Sequence, residues 1–71
     1  MFGSKQEKRQ RQQRIIELLE QHHPIGLTVP ELCRFLKVAS STVLRDLPDL
    51  ESQGIYLDEE GNRMRIAFRD W

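Results

Sequence analysis

Seventy-one residues, of which 38% are hydrophobic and 31% charged, are enough for one globular domain with a thin core and too few for two. The single cysteine, Cys33, excludes an intramolecular disulfide and a cysteine-rich zinc site, and no apolar run or signal peptide indicates a membrane, so we expect a cytoplasmic protein. The formal net charge is zero, which by itself counts against a nucleic-acid partner, because DNA-facing domains are usually basic.

Residues 1–14 are predicted to form a basic N-terminal arm or an extension of the first helix. They hold five cations against one carboxylate, a net charge of +4, and the rest of the chain has a net charge of −4. The five cations are Lys5, Lys8, Arg9, Arg11 and Arg14. Such an asymmetry hints at nucleic-acid contact, with Arg9 and Arg11 as candidates for phosphate contact. A solvated helix face is the other interpretation.

Residues 15–71 are expected to form the folded domain. The first helix is predicted over residues 7–22, so its first half lies in the basic segment 1–14. Ile15, Leu18, Leu19 and His22 recur at the spacing of one apolar helix stripe. The residues before Ile15 have no apolar anchor, so this half is expected to be a frayed helix or a flexible arm. Pro24 ends the helix, because the residue before a proline avoids the helical conformation.

The second helix is predicted over residues 29–37 and has the clearest start. Thr28 and Glu31 have the spacing of a capping box, and Pro30 falls in the first turn, where its missing N–H costs nothing. Leu27 and Leu32 occupy the positions of a hydrophobic staple. The predicted buried face consists of Leu32, Phe35 and Leu36.

The third helix, predicted over residues 41–53, follows after a turn of only three residues, 38–40. Ser40 or Ser41 can cap it, and Gly54 supplies its end. Its apolar stripe is Val43, Leu47 and Leu50. Two short helices joined by such a turn are the signature of a helix-turn-helix.

After Gly54 the apolar period changes from 3.6 to 2, which predicts a β-hairpin. Its first strand is residues 55–57, and its turn is residues 58–62, with Gly61 or Asn62 suited to a positive φ. In the second strand Met64, Ile66 and Phe68 are expected to point inward, while the arginines Arg63, Arg65 and Arg69 point outward. The predicted fold class is therefore α+β, mostly α: a three-helix winged helix-turn-helix with a C-terminal two-stranded β-hairpin wing.

The stretch from Val38 to Ile55 resembles the helix-turn-helix of DeoR-type winged-helix regulators. The matching positions are Val38, Thr42, Val43, Arg45, Asp46, Leu47, Leu50, Glu51 and Gly54. A weaker match covers roughly residues 14–68. The resemblance implies a winged-helix DNA-binding domain of a transcriptional regulator.

Three residues depart from that family's pattern. Ala39 stands where the family has its capping serine, so Ser40 is expected to cap one residue later. Leu44 stands where the family has the first arginine of a pair, a position that the resemblance places on DNA. Pro48 is expected to interrupt and kink the third helix. No part of the 71 residues corresponds to the family's effector-binding domain, so sugar-phosphate sensing is not expected of them.

In a helix-turn-helix, the exposed N-terminal residues of the second helix meet base edges in the major groove. Ser41, Thr42 and Arg45 are the predicted base-contacting residues, and Lys37 and Ser40 lie near phosphates. Arg45 is able to make a bidentate contact to guanine. The alternative is that Ser40 and Ser41 only cap the helix and that Arg45 pairs with Asp49 at i+4.

On the wing, Arg63 and Arg65 are candidates for phosphate contact. The alternative is a solvated strand on which they pair with Asp58 or Glu60 across the hairpin. The acidic tip, Glu59 and Glu60, argues against deep insertion into the minor groove, because phosphates repel carboxylates.

Neither catalysis nor a cofactor is indicated: there is no phosphate loop and no recognisable triad, and Cys33 is interpreted as a packing residue. His22-His23 lacks accompanying ligands, so no metal site is expected. We therefore predict a small protein of phage or bacterial type that binds double-stranded DNA sequence-specifically and regulates transcription by occupying an operator. A homodimer is expected on symmetry grounds. The alternative is a winged-helix protein-interaction module that docks a protein partner through its acidic body.

Overall fold

A computed structural model describes residues 5–69 and, within that range, the side chains of residues 6–68. Three helices come first, α1 (Lys5–Gln21), α2 (Val29–Leu36) and α3 (Ser40–Ser52), and two antiparallel strands follow, β1 (Ile55–Glu60) and β2 (Arg63–Arg69). The predicted winged-helix order is confirmed, with every helix end within two residues of its predicted place. The predictions for the side chains of Lys5 and Arg69 lie outside the described residues. None of the described helices is long and apolar enough to span a bilayer.

The core is formed by one apolar stripe from each helix and by the inner face of the hairpin. Of the predicted α1 stripe, Ile15, Leu18 and Leu19 are buried, whereas His22 is half-buried. Leu32 of α2, Val43 and Leu50 of α3, and Ile55 and Met64 of the hairpin complete the core. Removing these side chains from water is the main term that stabilises so small a domain.

Helix α2 begins and ends as local chemistry dictates. The backbone N–H of Glu31 donates to Thr28 Oγ1 at 3.3 Å, and the backbone N–H of Thr28 donates to Glu31 Oε1 at 2.9 Å, so the predicted capping box is confirmed. At the other end Lys37 adopts the left-handed conformation with φ 58°, and its N–H donates to the carbonyl of Cys33. The turn between α2 and α3 therefore starts at Lys37.

The segment before α2 is bonded to the hairpin, which the sequence did not predict. Leu27 N–H donates to the carbonyl of Met64 at 2.9 Å, and Met64 N–H donates back at 2.8 Å. Gly26 precedes this bridge with φ +86°, and a Cβ there would lie 2.4 Å from the Met64 carbonyl oxygen. Only glycine fits, so Gly26 is what allows the wing to lie this close to the helices.

Two aromatic residues predicted to be in the core are exposed instead. Phe35 is 51% exposed and its ring lies against His22, with centroids 5.8 Å apart. The stripe that α2 turns to the core is Val29, Leu32, Cys33 and Leu36, at i, i+3, i+4 and i+7. Phe35 falls beside that stripe, because one residue turns the helix by about 100°.

Phe68 is 59% exposed because the hairpin contains a register shift. Leu57 pairs with Ile66 but Tyr56 pairs with Phe68, so Ala67 is an extra residue in β2. A bulge of this kind reverses the alternation of side chains beyond it. Met64 and Ile66 therefore point inward as predicted, whereas Phe68 lies on the outer face against Tyr56, with ring centroids 5.9 Å apart.

Helix α3 also differs from two expectations. Its N-cap is Ala39, which makes no side-chain cap bond, so the prediction that Ser40 or Ser41 caps the helix was wrong. The helix continues through Pro48 to Ser52 without a break, so the predicted interruption was wrong as well. Leu47 and Leu50 pack on the core beside the proline, and this packing offsets the backbone hydrogen bond that Pro48 cannot donate.

Candidate nucleic-acid interface

Helix α3 has two opposed faces, and the predicted contact residues lie on the outer one. Its inner stripe is Val43, Asp46, Leu47 and Leu50, which are buried or pack against the core. Its outer stripe is Ser41, Leu44, Arg45 and Pro48, which are all exposed. Both stripes follow the i, i+3, i+4, i+7 spacing, so the face available to a groove is set by the face that packs.

Five of the predicted contact residues are brought together at the start of α3. Lys37, Ser40, Ser41 and Arg45 are exposed and Thr42 is half-buried. Lys37 opens the turn, and Ser40 is the first helical residue. The N-terminus of a helix carries a partial positive charge and unsatisfied N–H groups, which favour an anion such as phosphate.

Arg45 is available to a ligand. Within residues 6–68 its guanidinium forms no hydrogen bond or ion pair. The alternative pairing with Asp49 is not formed, because Asp49 accepts from Lys8 Nζ at 2.6 Å and from Gln12 Nε2 at 3.4 Å. Lys8 also lowers the pKa of Asp49 through that hydrogen bond. Nothing in the described part of the chain occupies the five N–H donors of Arg45, which suit a planar, bidentate contact.

Arg11, by contrast, is engaged inside the protein. Its Nε and Nη2 atoms both donate to the carboxylate of Asp46, which is 1% exposed, and the Nη2 bond measures 3.1 Å. The hydrogen bond to Asp46 is the main cause that raises the pKa of Arg11. Because the buried carboxylate depends on this cation, the geometry argues against the predicted phosphate contact of Arg11.

This pair belongs to a set of polar contacts between α1 and α3 that we call the polar seam. Its members are Lys8, Arg11, Gln12, Asp46, Asp49 and Gln53. Gln12 lies at its centre, 4% exposed; it donates to Asp46 at 3.4 Å and accepts from Gln53 Nε2 at 2.9 Å. The seam holds α3 against the basic half of α1.

The polar seam could not be predicted from the sequence, because the spacing of apolar residues does not show which polar side chains contact each other. One signal was present: Asp46 shares the inner stripe of α3 with Val43, Leu47 and Leu50. A carboxylate on a core-facing stripe needs a cationic or hydrogen-bonding partner, since an unpaired buried charge is costly. The pattern does not say which of the eleven cations of the chain supplies it.

The two wing arginines are also engaged within the protein. Arg63 Nη1 donates to the carbonyl of Gly26 at 3.1 Å and to Glu31 Oε1 at 3.2 Å. Arg65 donates to the carbonyl of Pro24 at 3.3 Å and to Asp58 Oδ2 at 3.0 Å, and lies 3.6 Å from Glu60. For Arg65 this is the predicted alternative, pairing across the hairpin. Both side chains tie the wing to the segment before α2.

Four of the described cations form neither a hydrogen bond nor an ion pair through their side chains within residues 6–68: Arg9, Arg34, Lys37 and Arg45. Arg34 was not among the predicted contact residues. It lies in the last turn of α2, three residues before Lys37, and both are exposed. The i, i+3 spacing of two cations beside the turn was the signal that could have identified it.

Three helices with an exposed recognition helix and a C-terminal hairpin define a winged helix-turn-helix, a class of DNA-binding domains. The family model of the DeoR-like helix-turn-helix domain matches residues 11–61, and the chain belongs to that family. It is also similar to the HTH-type transcriptional regulator GolR of Listeria innocua serovar 6a, with 50% identity over 57 residues, 80% of this chain. The chain spans about a fifth (22%) of that relative's length. No solved structure gave a significant match.

Proposed function

We propose that this domain binds duplex DNA sequence-specifically, with α3 in the major groove, and regulates transcription in the cytoplasm by occupying an operator. The observation that carries the proposal is the exposed Arg45 on the outer stripe of α3, whose guanidinium has no partner among residues 6–68. An arginine fork at the start of a recognition helix matches the O6 and N7 acceptors of guanine. Membership of the DeoR-like family and the similarity to a transcriptional regulator support the same conclusion.

The proposed contacts divide by role. Ser41, Thr42 and Arg45 read base edges, while Lys37 and Ser40 bind phosphate at the turn. Arg34 joins them, because the first helix of a helix-turn-helix crosses the DNA backbone. Arg9, exposed on α1, adds attraction that does not depend on sequence.

The remaining predicted contacts, Arg11, Arg63 and Arg65, support the fold instead, since each already holds a carboxylate. We further propose that two copies bind an inverted repeat. One short helix covers only part of a helical turn of DNA, and a two-fold dimer doubles the sequence that is read.

The test begins with a cognate duplex selected from a random pool by the parent chain, followed by fluorescence anisotropy titrations. Arg45→Ala should weaken cognate binding by about 1–3 kcal/mol, roughly 5- to 150-fold, and leave a scrambled duplex nearly unchanged. Arg45→Lys should lose most of the same discrimination, because it keeps the charge without the fork.

Arg14→Ala is the matched control, since Arg14 is an exposed arginine on α1 that pairs with Glu17 at 3.2 Å. It should leave the ratio of cognate to scrambled affinity unchanged. Equal losses for Arg45→Ala on both duplexes would contradict base reading by Arg45. If the parent enriches no sequence and shows no salt-dependent binding, the proposed function fails and the protein-interaction alternative replaces it.

A further inference from the structure

The outer stripe of α3 contains one residue whose chemistry differs from its neighbours. Leu44 is 55% exposed and lies between Ser41 and Pro48 along the stripe, directly before Arg45 in the chain. The core-facing contacts of α3 come from the opposite stripe, so this leucine is not needed to hold the helix in place. It is also the position where the chain departs from the arginine pair of the DeoR-type pattern.

The position of Leu44 limits what it can touch if α3 enters the major groove. The groove floor presents hydrogen-bond donors and acceptors at every base pair, and its only apolar group is the C5 methyl of thymine. A leucine packed against polar base edges would displace the water molecules that hydrogen-bond to them. Because the leucine cannot form those hydrogen bonds itself, this contact is unfavourable. The same leucine against a methyl group buries apolar surface on both sides, which is favourable.

We infer that Leu44 is a specificity determinant that packs on the methyl group of a thymine in or beside the base pair contacted by Arg45. The inference rests on the proposed function and deepens it. Arg45 selects guanine through hydrogen bonds, and Leu44 selects thymine through apolar contact. The two consecutive residues therefore give α3 two different kinds of base reading.

Deoxyuracil tests this contact directly, because it keeps the pairing of thymine and lacks only the methyl group. Each thymine of the selected cognate duplex is replaced in turn by deoxyuracil, and binding of the parent and of Leu44→Ala is measured by fluorescence anisotropy. For the parent, one replacement should weaken binding about three- to fivefold, the scale expected for one buried methyl group. For Leu44→Ala the same replacement should have no effect.

Ile25→Ala is the matched control, since Ile25 is an aliphatic residue outside α3 that is 72% exposed. This variant should keep the parent's preference for thymine. The circular dichroism spectrum of each variant should match that of the parent, because both changes are at exposed side chains.

The inference and the proposed function fail in different ways. A parent that selects no duplex at all overturns both. A parent that selects a duplex but shows no sensitivity to deoxyuracil at any position overturns the inference alone, as does a selected site without thymine. Retention of the thymine preference by Leu44→Ala, or its loss in Ile25→Ala, also overturns the inference alone.

Discussion

Glu31 is the side chain on which the start of α2 and the position of the wing both depend. Its carboxylate accepts from the backbone N–H of Thr28 at 2.9 Å and from Arg63 at 3.2 Å. The hydrogen bond from Thr28 is the main cause that lowers the pKa of Glu31 below 4.5, and the charge of Arg63 lowers it further. Folding therefore stabilises the charged carboxylate of Glu31 relative to its protonated form.

The lowered pKa of Glu31 predicts a pH dependence of stability with a definite sign. The folded pKa lies below the unfolded value of 4.5, so the stabilisation is complete above that value and is lost as pH falls through the folded pKa. Glu31→Gln keeps an oxygen that accepts from Thr28 and loses the charge. We expect melting curves between pH 5 and pH 3, measured by circular dichroism, to show a smaller decrease in Tm for this variant than for the parent.

Glu59→Gln is the control for the charge change itself. Glu59 is exposed near the tip of the hairpin and forms no hydrogen bond or ion pair within residues 6–68. Its variant should follow the parent's decrease in Tm with falling pH. The explanation through the capping box fails if Glu31→Gln and Glu59→Gln follow the same curve.

At the scale of elements, the polar seam holds α3 against α1. The side chains of Arg11 and Asp46 are unequal partners, because 25% of the arginine is exposed and only 1% of the aspartate. An unpaired Arg11 can turn toward water, whereas an unpaired Asp46 leaves a charge buried. Breaking a buried pair by removing one partner is costly mainly because of the charge that stays behind.

Replacing Arg11 should therefore cost more than replacing Asp46. Arg11→Met is expected to lower the free energy of unfolding by about 3–5 kcal/mol, a loss that removes most of the stability of so small a domain. Asp46→Asn should cost about 1.5–3 kcal/mol, the scale of hydrogen bonds to a charged group. Urea denaturation of both variants and of the double variant gives the coupling energy of the pair.

Arg14→Met is the matched control on the same helix. The side chains of Arg14 and its partner Glu17 are 50% and 48% exposed, so this change should cost less than about 1 kcal/mol. Equal effects of Arg11→Met and Arg14→Met would show that the Arg11–Asp46 pair contributes no more than a surface ion pair.

For the whole molecule, the net charge of zero is a poor guide to how strongly the protein should attract DNA. Five of the nine described cations pair with carboxylates. The four without a partner among the described residues lie on α1 (Arg9), on α2 (Arg34), in the turn after α2 (Lys37) and on α3 (Arg45), and none lies on the wing. Each phosphate contact that a cation makes changes the logarithmic salt dependence of binding by about 0.9. The salt dependence of DNA binding should therefore be set by these four cations rather than by the net charge.

This distinction predicts different effects for two cations of equal charge. Lys37→Gln should weaken binding to all duplexes and flatten the plot of log K against log salt by about 0.9 per protomer. Arg65→Gln should leave the slope unchanged, because Arg65 already contacts Asp58, Glu60 and Pro24. Titrations at several salt concentrations measure both slopes. A slope reduced equally by the two changes would mean that the wing arginine leaves its partners and contacts phosphate.

Local signals were sufficient to predict most of the fold. The apolar stripe of α1, the capping box at Thr28 and the end of α3 before Gly54 depend on residues within one or two helical turns of each other. The same holds for the candidate site, because the turn at Lys37 and the exposed serines follow from where α2 ends and α3 begins. These features were predicted to within two residues for that reason.

The tertiary structure alone decided which charged side chains are free to meet a ligand. Arg11 and Asp46 are 35 residues apart in the chain, and Arg63 is 37 residues from the Gly26 carbonyl that it contacts, so no local pattern connects them. The register shift at Ala67, which exposes Phe68, arises from the pairing of two strands. The sequence by itself determined the helices, their ends and the face of α3 that is exposed, because these depend on local spacing. Pairing between distant elements determined which cations remain for DNA, because a buried charge must be neutralised by whichever partner the fold brings near.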